Sequence, residues 1–447
     1  MARSETSRDA AGEEGGAPKD GRRAMWLVAI FLLALAVRCW AVASYPSVPT
    51  NDAADYHRIA ADLSRGLGYV NEAGGPTAWR PPGYPAFLAA LYRVFGVSVR
   101  AATFAQAALG GLTVLLLAAF GALVFGRREA LVAGLLAALY PGLFWLPRVL
   151  LSENLSLPLT LAALCAAALL LKTGRPRWAF ACGALLGLGA LARGANLLVA
   201  AVLLAGMALF ARGRGRGRRH LAASSALVCA GVALVLLPWA ARNYRVFHRL
   251  VPVATQDGMT LYASYWPPVS GGKMIWGNLP GEEDPAWAAA ARAGDEAAAS
   301  KYLQAVTFER LREHPGYFFR LLPIKLLSLV VPFDWEWFPH APGTARSLNP
   351  VYALLLIPAM LGLLVLWRRP APHAWLLWVL PLSALAQAVT FYGSPRFRLP
   401  AETSAIVWAA VAAVGAWDYF RRREGAGRGG ARVSAGLEKP AARDEEP

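Results

Sequence analysis

Apolar residues gather into ten separate runs, each close to the length of a bilayer-crossing helix, and this repeat decides what the chain can fold into. The runs cover 25–45, 100–125, 130–147, 154–171, 178–193, 195–211, 221–240, 348–367, 373–391 and 402–420. About twenty apolar residues, rising roughly 1.5 Å each, cross a hydrocarbon core of about 30 Å. A soluble core has no use for so many. Of the 447 residues, 56% are hydrophobic and only 16% are charged. The expected fold class is an all-α polytopic membrane protein. It should hold about ten transmembrane helices, within bounds of about nine to twelve, with every backbone group paired inside its own helix.

The net charge is +17. In a soluble chain that surplus would suggest nucleic acid. Here the cations crowd into short loops between apolar runs: Arg127-Arg128, the group Lys172, Arg175 and Arg177, Arg212 to Arg219, Arg368-Arg369 and Arg421 to Arg423. Cationic loops mark the cytoplasmic side. Both termini then lie inside, and no nucleic-acid partner is called for. The Gly-Arg alternation at 213–219 is a short cytoplasmic loop rather than an RNA-binding tract. The four cysteines, Cys39, Cys165, Cys182 and Cys229, all fall within apolar runs and suit packing rather than a disulfide framework.

The opposite face receives a first outer loop at 46–99, turns near 150 and 193, a larger outer loop at 241–346, and 392–401. Residues 82–96 and 317–333 are apolar but short or interrupted, and are expected to lie along the outer interface. The alternative for 317–333 is an eleventh span. Residues 53–65 suit a short amphipathic helix with Ala53, Tyr56, Ala60 and Leu63 on one face, ended by Gly66 and Gly68. Residues 286–315 form another helical stretch. The polar tails 1–24 and 421–447 are expected to be disordered and cytoplasmic, flanking one membrane domain over 25–420.

Every unusual motif falls on the outer face. Asp52 and Asp55 follow the first apolar run at the lipid–water boundary. A carboxylate there accepts a proton from a hydroxyl, caps a helix or holds a metal. Glu153 opens the fourth run, where an acid is costly unless it faces a cavity; with Ser152 it also fits a helix cap. Arg80, Arg193, Arg242, Arg245, Arg396 and Arg398 stand on the side that disfavours cations. A bound anion explains such placement, and guanidinium forks suit phosphate. Snorkelling accounts for Arg245 and Arg93. His57, His248, His314 and His340 are scattered, without metal-ligand spacing. Trp335, Trp337 and Phe338, beside Asp334 and Glu336, suit an interfacial aromatic belt or a sugar-stacking platform.

Several motifs in this order resemble a known group. Asp52-x-x-x-Tyr56, Arg80-Pro81-Pro82-Gly83-Tyr84-Pro85, Ser152-Glu153-Asn154, Leu191-Ala192-Arg193, Pro238 to Phe247 and Pro395-Arg396-Phe397-Arg398-Leu399-Pro400 are similar to motifs of the GT-C membrane glycosyltransferases. The nearest type is glycosyltransferase family 39, which includes dolichyl-phosphate-mannose–protein mannosyltransferases and the lipid A aminoarabinose transferase. The resemblance implies a GT-C-like bundle and an inverting glycosyltransferase that moves a sugar from a polyprenyl-phosphate donor to a hydroxyl of a protein, lipid or glycan. The outer face of a bacterial inner membrane would be the setting. It implies Asp52 as base and Glu153 as the second catalytic acid. Asp55, Tyr56, Arg80, Tyr84, Arg193, Arg242, Arg396 and Arg398 would bind substrate. No cofactor is required; a divalent metal is conceivable, although Ala53 and Trp79 stand where relatives carry acids. The alternatives are a transporter or flippase of lipid-linked sugars, and a scaffold in an envelope complex.

Overall fold

A computed structural model describes residues 17–210, 217–266, 280–281, 283–330, 333–334 and 347–435. Outside these lie Arg212, Arg214 and Arg216, the aromatic stretch from Trp335 through His340, and the tails 1–16 and 436–447. The helices are α1 (Ala17–Ser44), α2 (Asp52–Ser64), α3 (Gly83–Phe95), α4 (Val99–Val124), α5 (Arg127–Leu139), α6 (Pro141–Phe144), α7 (Glu153–Thr173), α8 (Pro176–Ala192) and α9 (Asn196–Phe210). There follow α10 (Arg218–Phe247), α11 (Gln256–Ser264), α12 (Pro285–Ala291), α13 (Glu296–Glu313), α14 (Pro315–Val330), α15 (Pro350–Arg368), α16 (Val379–Thr390) and α17 (Pro395–Ala435). Two-residue strands at Phe333–Asp334 and Ser347–Leu348 pair antiparallel.

Among the described residues six helices are long and apolar enough to cross a membrane, or seven if the bent pair Arg127–Leu139 and Pro141–Arg148 counts as one span. The remaining three apolar runs form shorter helices, Pro176–Ala192, Asn196–Phe210 and Ala374–Thr390. The expected all-α polytopic architecture is therefore present, with three differences of detail. The run at 130–147 breaks between Leu139 and Pro141, where the chain bends by 63°. Proline has no N–H to continue the ladder. Arg38, buried in α1, donates from Nη1 to the carbonyl of Ala138 and from Nη2 to that of Ala137, both at 3.3 Å, next to this break. Second, α17 begins at Pro395 rather than 402. Third, α1 reaches back to Ala17 and α17 runs on to Ala435, beyond the apolar segments.

Small residues set the closest helix contacts, as expected where lipid gives little hydrophobic drive between helices. A Cβ on Gly183 of α8 would fall 2.0 Å from the Val228 carbonyl oxygen of α10. A Cβ on Gly231 of α10 would lie 2.6 Å from the Phe180 carbonyl oxygen, and one on Gly187, one turn on, 3.1 Å from that of Val232. The main core runs through α4, α5, α7, α8, α15, α16 and α17.

The two expected short helices of the first loop are α2 and α3. They share a core of Ala53, Tyr56, Ala60, Tyr84, Leu88 and Tyr92, closed by Ala102 of α4. The stretch 286–315 forms α12, α13 and the start of α14. At 16 residues, α14 would span only about 24 Å, and it packs on α16 and α17. It turns Lys325 inward, with Nζ 3.3 Å from the centroid of the Tyr265 ring.

Candidate active site

The helix ends carry the chemistry. Asn51 has φ of 48°, a left-handed value that Asn tolerates better than most residues. It redirects the chain between α1 and α2, and Asp52 opens the new helix. Asn51 makes no side-chain cap bond, and the Asp52 oxygens are spent elsewhere. Oδ1 accepts from Arg80 Nη2 at 2.7 Å and Oδ2 from Arg396 Nη1 at 2.6 Å. Glu153 opens α7 and is buried. Its Oε1 accepts from Arg193 Nη1 and Arg396 Nε, and its Oε2 from Arg396 Nη2 at 3.0 Å. Ser152 does not cap the helix; its hydroxyl reaches the Glu153 carboxylate at 3.3 Å. Arg396 thus bridges the two acids, and three guanidiniums from three distant segments converge on them.

Asp55 completes the cluster. Its Oδ2 accepts from Arg80 Nη2 at 2.6 Å and from Nε at 3.1 Å. Arg80 Nη1 donates to Gln256 Oε1 at 2.8 Å, and its guanidinium lies 5.3 Å from the centroid of Tyr56. Burial works to raise the Asp52 carboxyl, but Arg396 and then Arg80 outweigh it and hold the group well below the usual carboxylate range.

Packing fixes each of these groups. Gly83 starts α3 against the end of α8; a Cβ there would lie 2.9 Å from the Leu191 carbonyl and the Ala192 nitrogen. The motif carrying Arg80 is therefore pressed against the helix end that carries Arg193. Glu296 of α13 accepts from the Thr77 hydroxyl at 2.8 Å, the Thr255 hydroxyl at 3.1 Å and the Ala78 amide. The Thr255 amide donates to the Ala78 carbonyl at 2.9 Å. The first outer loop and the start of α11 are thereby tied together behind Arg80 and Gln256.

The cluster forms one wall of a cleft of about 320 Å³, inside the range of small-molecule sites, roughly 300–1,000 Å³. Leu197, Leu198, Phe391 and Phe397 provide an apolar wall; Gln256, Asp257, Thr390 and Tyr392 add polar groups. All of this sits at one end of the bundle. Arg128 and Asp418, paired at 2.6 Å, lie at the other end of α4 and α17.

The structure brings together Asp52, Asp55, Tyr56, Arg80, Glu153, Arg193 and Arg396. Three expected binding residues stand apart. Tyr84 is buried behind Tyr56, ring centroids 4.9 Å apart, and its hydroxyl donates to Gln106. Arg242 donates from Nη1 to the Thr77 carbonyl at 2.7 Å and from Nη2 to that of Tyr69 at 3.2 Å; it fastens the first loop instead of lining the cleft. Arg398 was expected beside Arg396 in a tight turn. The segment is helical, so residues two apart face nearly opposite ways. Arg398 points into the core, with Nε 2.6 Å from Glu402 Oε1 and its guanidinium 3.8 Å from the Tyr352 ring centroid. Sequence reasoning missed Gln256, Asp257 and Glu296. Gln256 and Asp257 lie in a part of the large loop where no apolar period signalled structure, although Thr255-Gln256-Asp257 is a polar start to a helix; Glu296 lies in the expected helical stretch 286–315, where nothing marked it as a partner of the first loop.

Among the described residues no group of three or more His, Cys, Asp or Glu is placed to hold a metal. Asp52, Asp55 and Glu153 face guanidiniums, a donor set that does not fit a divalent cation.

Residues 79–241 match the family model described as dolichyl-phosphate-mannose-protein mannosyltransferase. That match includes Arg80, Glu153 and Arg193. No curated protein matches the sequence. Among solved structures, the oligosaccharyltransferase AglB of Archaeoglobus fulgidus, in complex with an inhibitory peptide and a dolichol-phosphate, superposes with a TM-score of 0.58 at 15% identity, over 94% of this chain and 53% of that one. The apo form of the Archaeoglobus fulgidus oligosaccharyltransferase gives 0.57 at 16% identity, over 90% and 52%. The chain has the GT-C fold. The family match covers 163 of the 447 residues, from 79 to 241. ArnT of Cupriavidus metallidurans, bound to undecaprenyl phosphate, is a looser match, with a TM-score of 0.43 at 18% identity over 88% of this chain and 78% of that one. The GT-C chain spans about half the length of the oligosaccharyltransferase it matches.

Proposed function

We propose that this protein is an inverting glycosyltransferase that takes a sugar from a polyprenyl-phosphate donor and passes it to an acceptor hydroxyl. One observation carries the reading: three guanidiniums and an apolar wall face the same cleft. A lipid phosphate needs both surfaces at once, cations for its head and hydrocarbon for its tail. The matched family is named for a dolichyl-phosphate-mannose donor, and the AglB structure contains a dolichol-phosphate.

Arg193 is the most available cation. Among the described residues only its Nη1 is hydrogen-bonded, to Glu153, so other N–H groups are open to a phosphate. Arg80 and Arg396 are held in the cleft by carboxylates until the donor arrives. The acceptor oxygen attacks the anomeric carbon as the bond from that carbon to the phosphate oxygen breaks. The leaving polyprenyl phosphate keeps the electron pair, and its growing charge is stabilised by guanidiniums already in place. A phosphate leaves without a general acid. The acceptor proton passes to Asp52, whose basicity rises as the donor phosphate draws Arg80 and Arg396 away from it. Attack opposite the leaving group inverts the anomeric centre. Glu153 remains on Arg193 and Arg396 and keeps them aimed.

The cationic loops support a reading in which this end of the bundle faces the extracytoplasmic side of a bacterial inner membrane and both termini lie inside. Acceptors are hydroxyls of protein, lipid or glycan. A flippase would be expected to place its polar groups near the middle of the bundle, whereas these cluster at one end. In the test of the base, Asp52→Asn should abolish release of polyprenyl phosphate while donor binding persists. An unchanged rate would remove Asp52 from that role.

A further inference from the structure

A second cavity, of about 210 Å³, adjoins the first and shares Leu197, Ala254 and Asp257 with it. Its walls are the 249–255 segment that links α10 to α11 and the face of α13 bearing Ser300, Lys301 and Gln304. Arg249 and Lys301 are exposed along it. Among the described residues neither makes a hydrogen bond or an ion pair, and the same holds for Asp257. Two free cations therefore stand on the rim, and a free carboxylate stands where the two cavities join.

This distribution of charge differs from that of the first cleft, where acids and guanidiniums neutralise one another. It suits a ligand with an anionic group at one end and a neutral hydroxyl at the other. The anion rests between Arg249 and Lys301. The hydroxyl leads inward, because the Asp257 carboxylate repels an anion and not a neutral O–H, which leaves the proton free to face Asp52. Asp257 is exposed where the cavities meet, so it faces the junction ionised at neutral pH. The other charged groups near it are Arg80, Arg193, Arg396 and Asp52 across the first cleft.

We propose that the second cavity is the acceptor subsite, and that the acceptor it takes is an anionic, hydroxyl-bearing molecule. The proposal rests on the transferase reading: the donor phosphate occupies the arginine wall, so the acceptor has to approach along a separate path. At the junction its oxygen bonds to the anomeric carbon, the carbon–phosphate oxygen bond breaks with its electron pair going to the lipid phosphate, and the hydroxyl proton goes to Asp52. The same chemistry is offered by an anionic lipid headgroup and by a soluble phosphorylated sugar, and the experiment separates these sources.

The full chain would be placed in phosphatidylcholine nanodiscs with saturating undecaprenyl phosphate and titrated with glucose 6-phosphate or with glucose. A parallel set of nanodiscs would contain phosphatidylglycerol, read as a shift in melting temperature. At least one anionic probe should bind about tenfold or more tightly than its neutral counterpart, and Arg249→Ala with Lys301→Ala should remove that preference without changing the affinity for undecaprenyl phosphate. Glucose 6-phosphate responding alone points to a soluble acceptor, and phosphatidylglycerol alone to a lipid headgroup; both results support the subsite. The proposal is overturned if neither anion is preferred in the wild-type protein, or if the double variant keeps the preference. Failure of the wild-type protein to bind undecaprenyl phosphate would strike the donor reading instead, and the comparison of anionic with neutral probes would still decide the subsite.

Discussion

Arg396 is the residue on which the most geometry converges. Its three nitrogens reach both acids of the cleft, which no lysine could do with a single ammonium. Arg396→Lys should therefore fail to rescue activity. Both Arg396→Ala and Arg396→Lys are expected to lower turnover by about 10²–10³-fold, the usual loss when one preorganised donor is removed from a transition-state anion. Release of polyprenyl phosphate measures this, and near-wild-type turnover in the lysine variant would contradict it. Asp52 and Arg80 were legible in the sequence because charge at a bilayer edge needs a reason. Arg398 was misplaced because its neighbourhood looked like a turn, and Asp257 was missed because nothing in its segment marks a cavity.

At the scale of elements, the site depends on helix ends held together by glycine contacts. Gly83 lets α3 meet the terminus of α8 with no side chain between them. Gly83→Ala should cost about 1–3 kcal/mol, the range for forcing an extra methyl into a packed contact. It should also move Arg193 relative to Arg80. The check compares melting temperature with turnover per folded molecule; turnover should fall even where the variant is fully folded. A lower melting temperature with unchanged turnover would uncouple this contact from the site. The short helices at 53–65 and 82–96 could be read from their apolar faces and flanking glycines. The bend at Tyr140 could not, because Pro141 sits inside an apolar run and the compensating Arg38 is almost a hundred residues away. The extension of α17 beyond 420 is likewise invisible to a hydropathy argument, since residues 421–435 hold no apolar run.

At the scale of the whole molecule, five segments far apart in sequence supply the acids and guanidiniums clustered at one cleft: the start of α2, the Arg80 motif, the start of α7, the end of α8 and the start of α17. The ten apolar runs dictated a bundle, and alternation of helix direction then forces these five segments to the same end. Sequence could give that common end but not the pairing of acids with arginines, which depends on how far each helix terminus projects. The arrangement is that of a GT-C bundle, and the central claim is that its arginine-lined cleft cleaves a lipid-phosphate sugar. The most direct test incubates the purified protein with a panel of polyprenyl-phosphate sugars and a mixed hydroxyl-bearing acceptor extract, and measures free polyprenyl phosphate. At least one donor should yield polyprenyl phosphate together with a glycosylated acceptor, and substitution of Arg80, Arg193 or Arg396 by Ala should suppress both products. Movement of an intact donor across the bilayer with no cleavage, or cleavage that survives all three substitutions, would contradict the account.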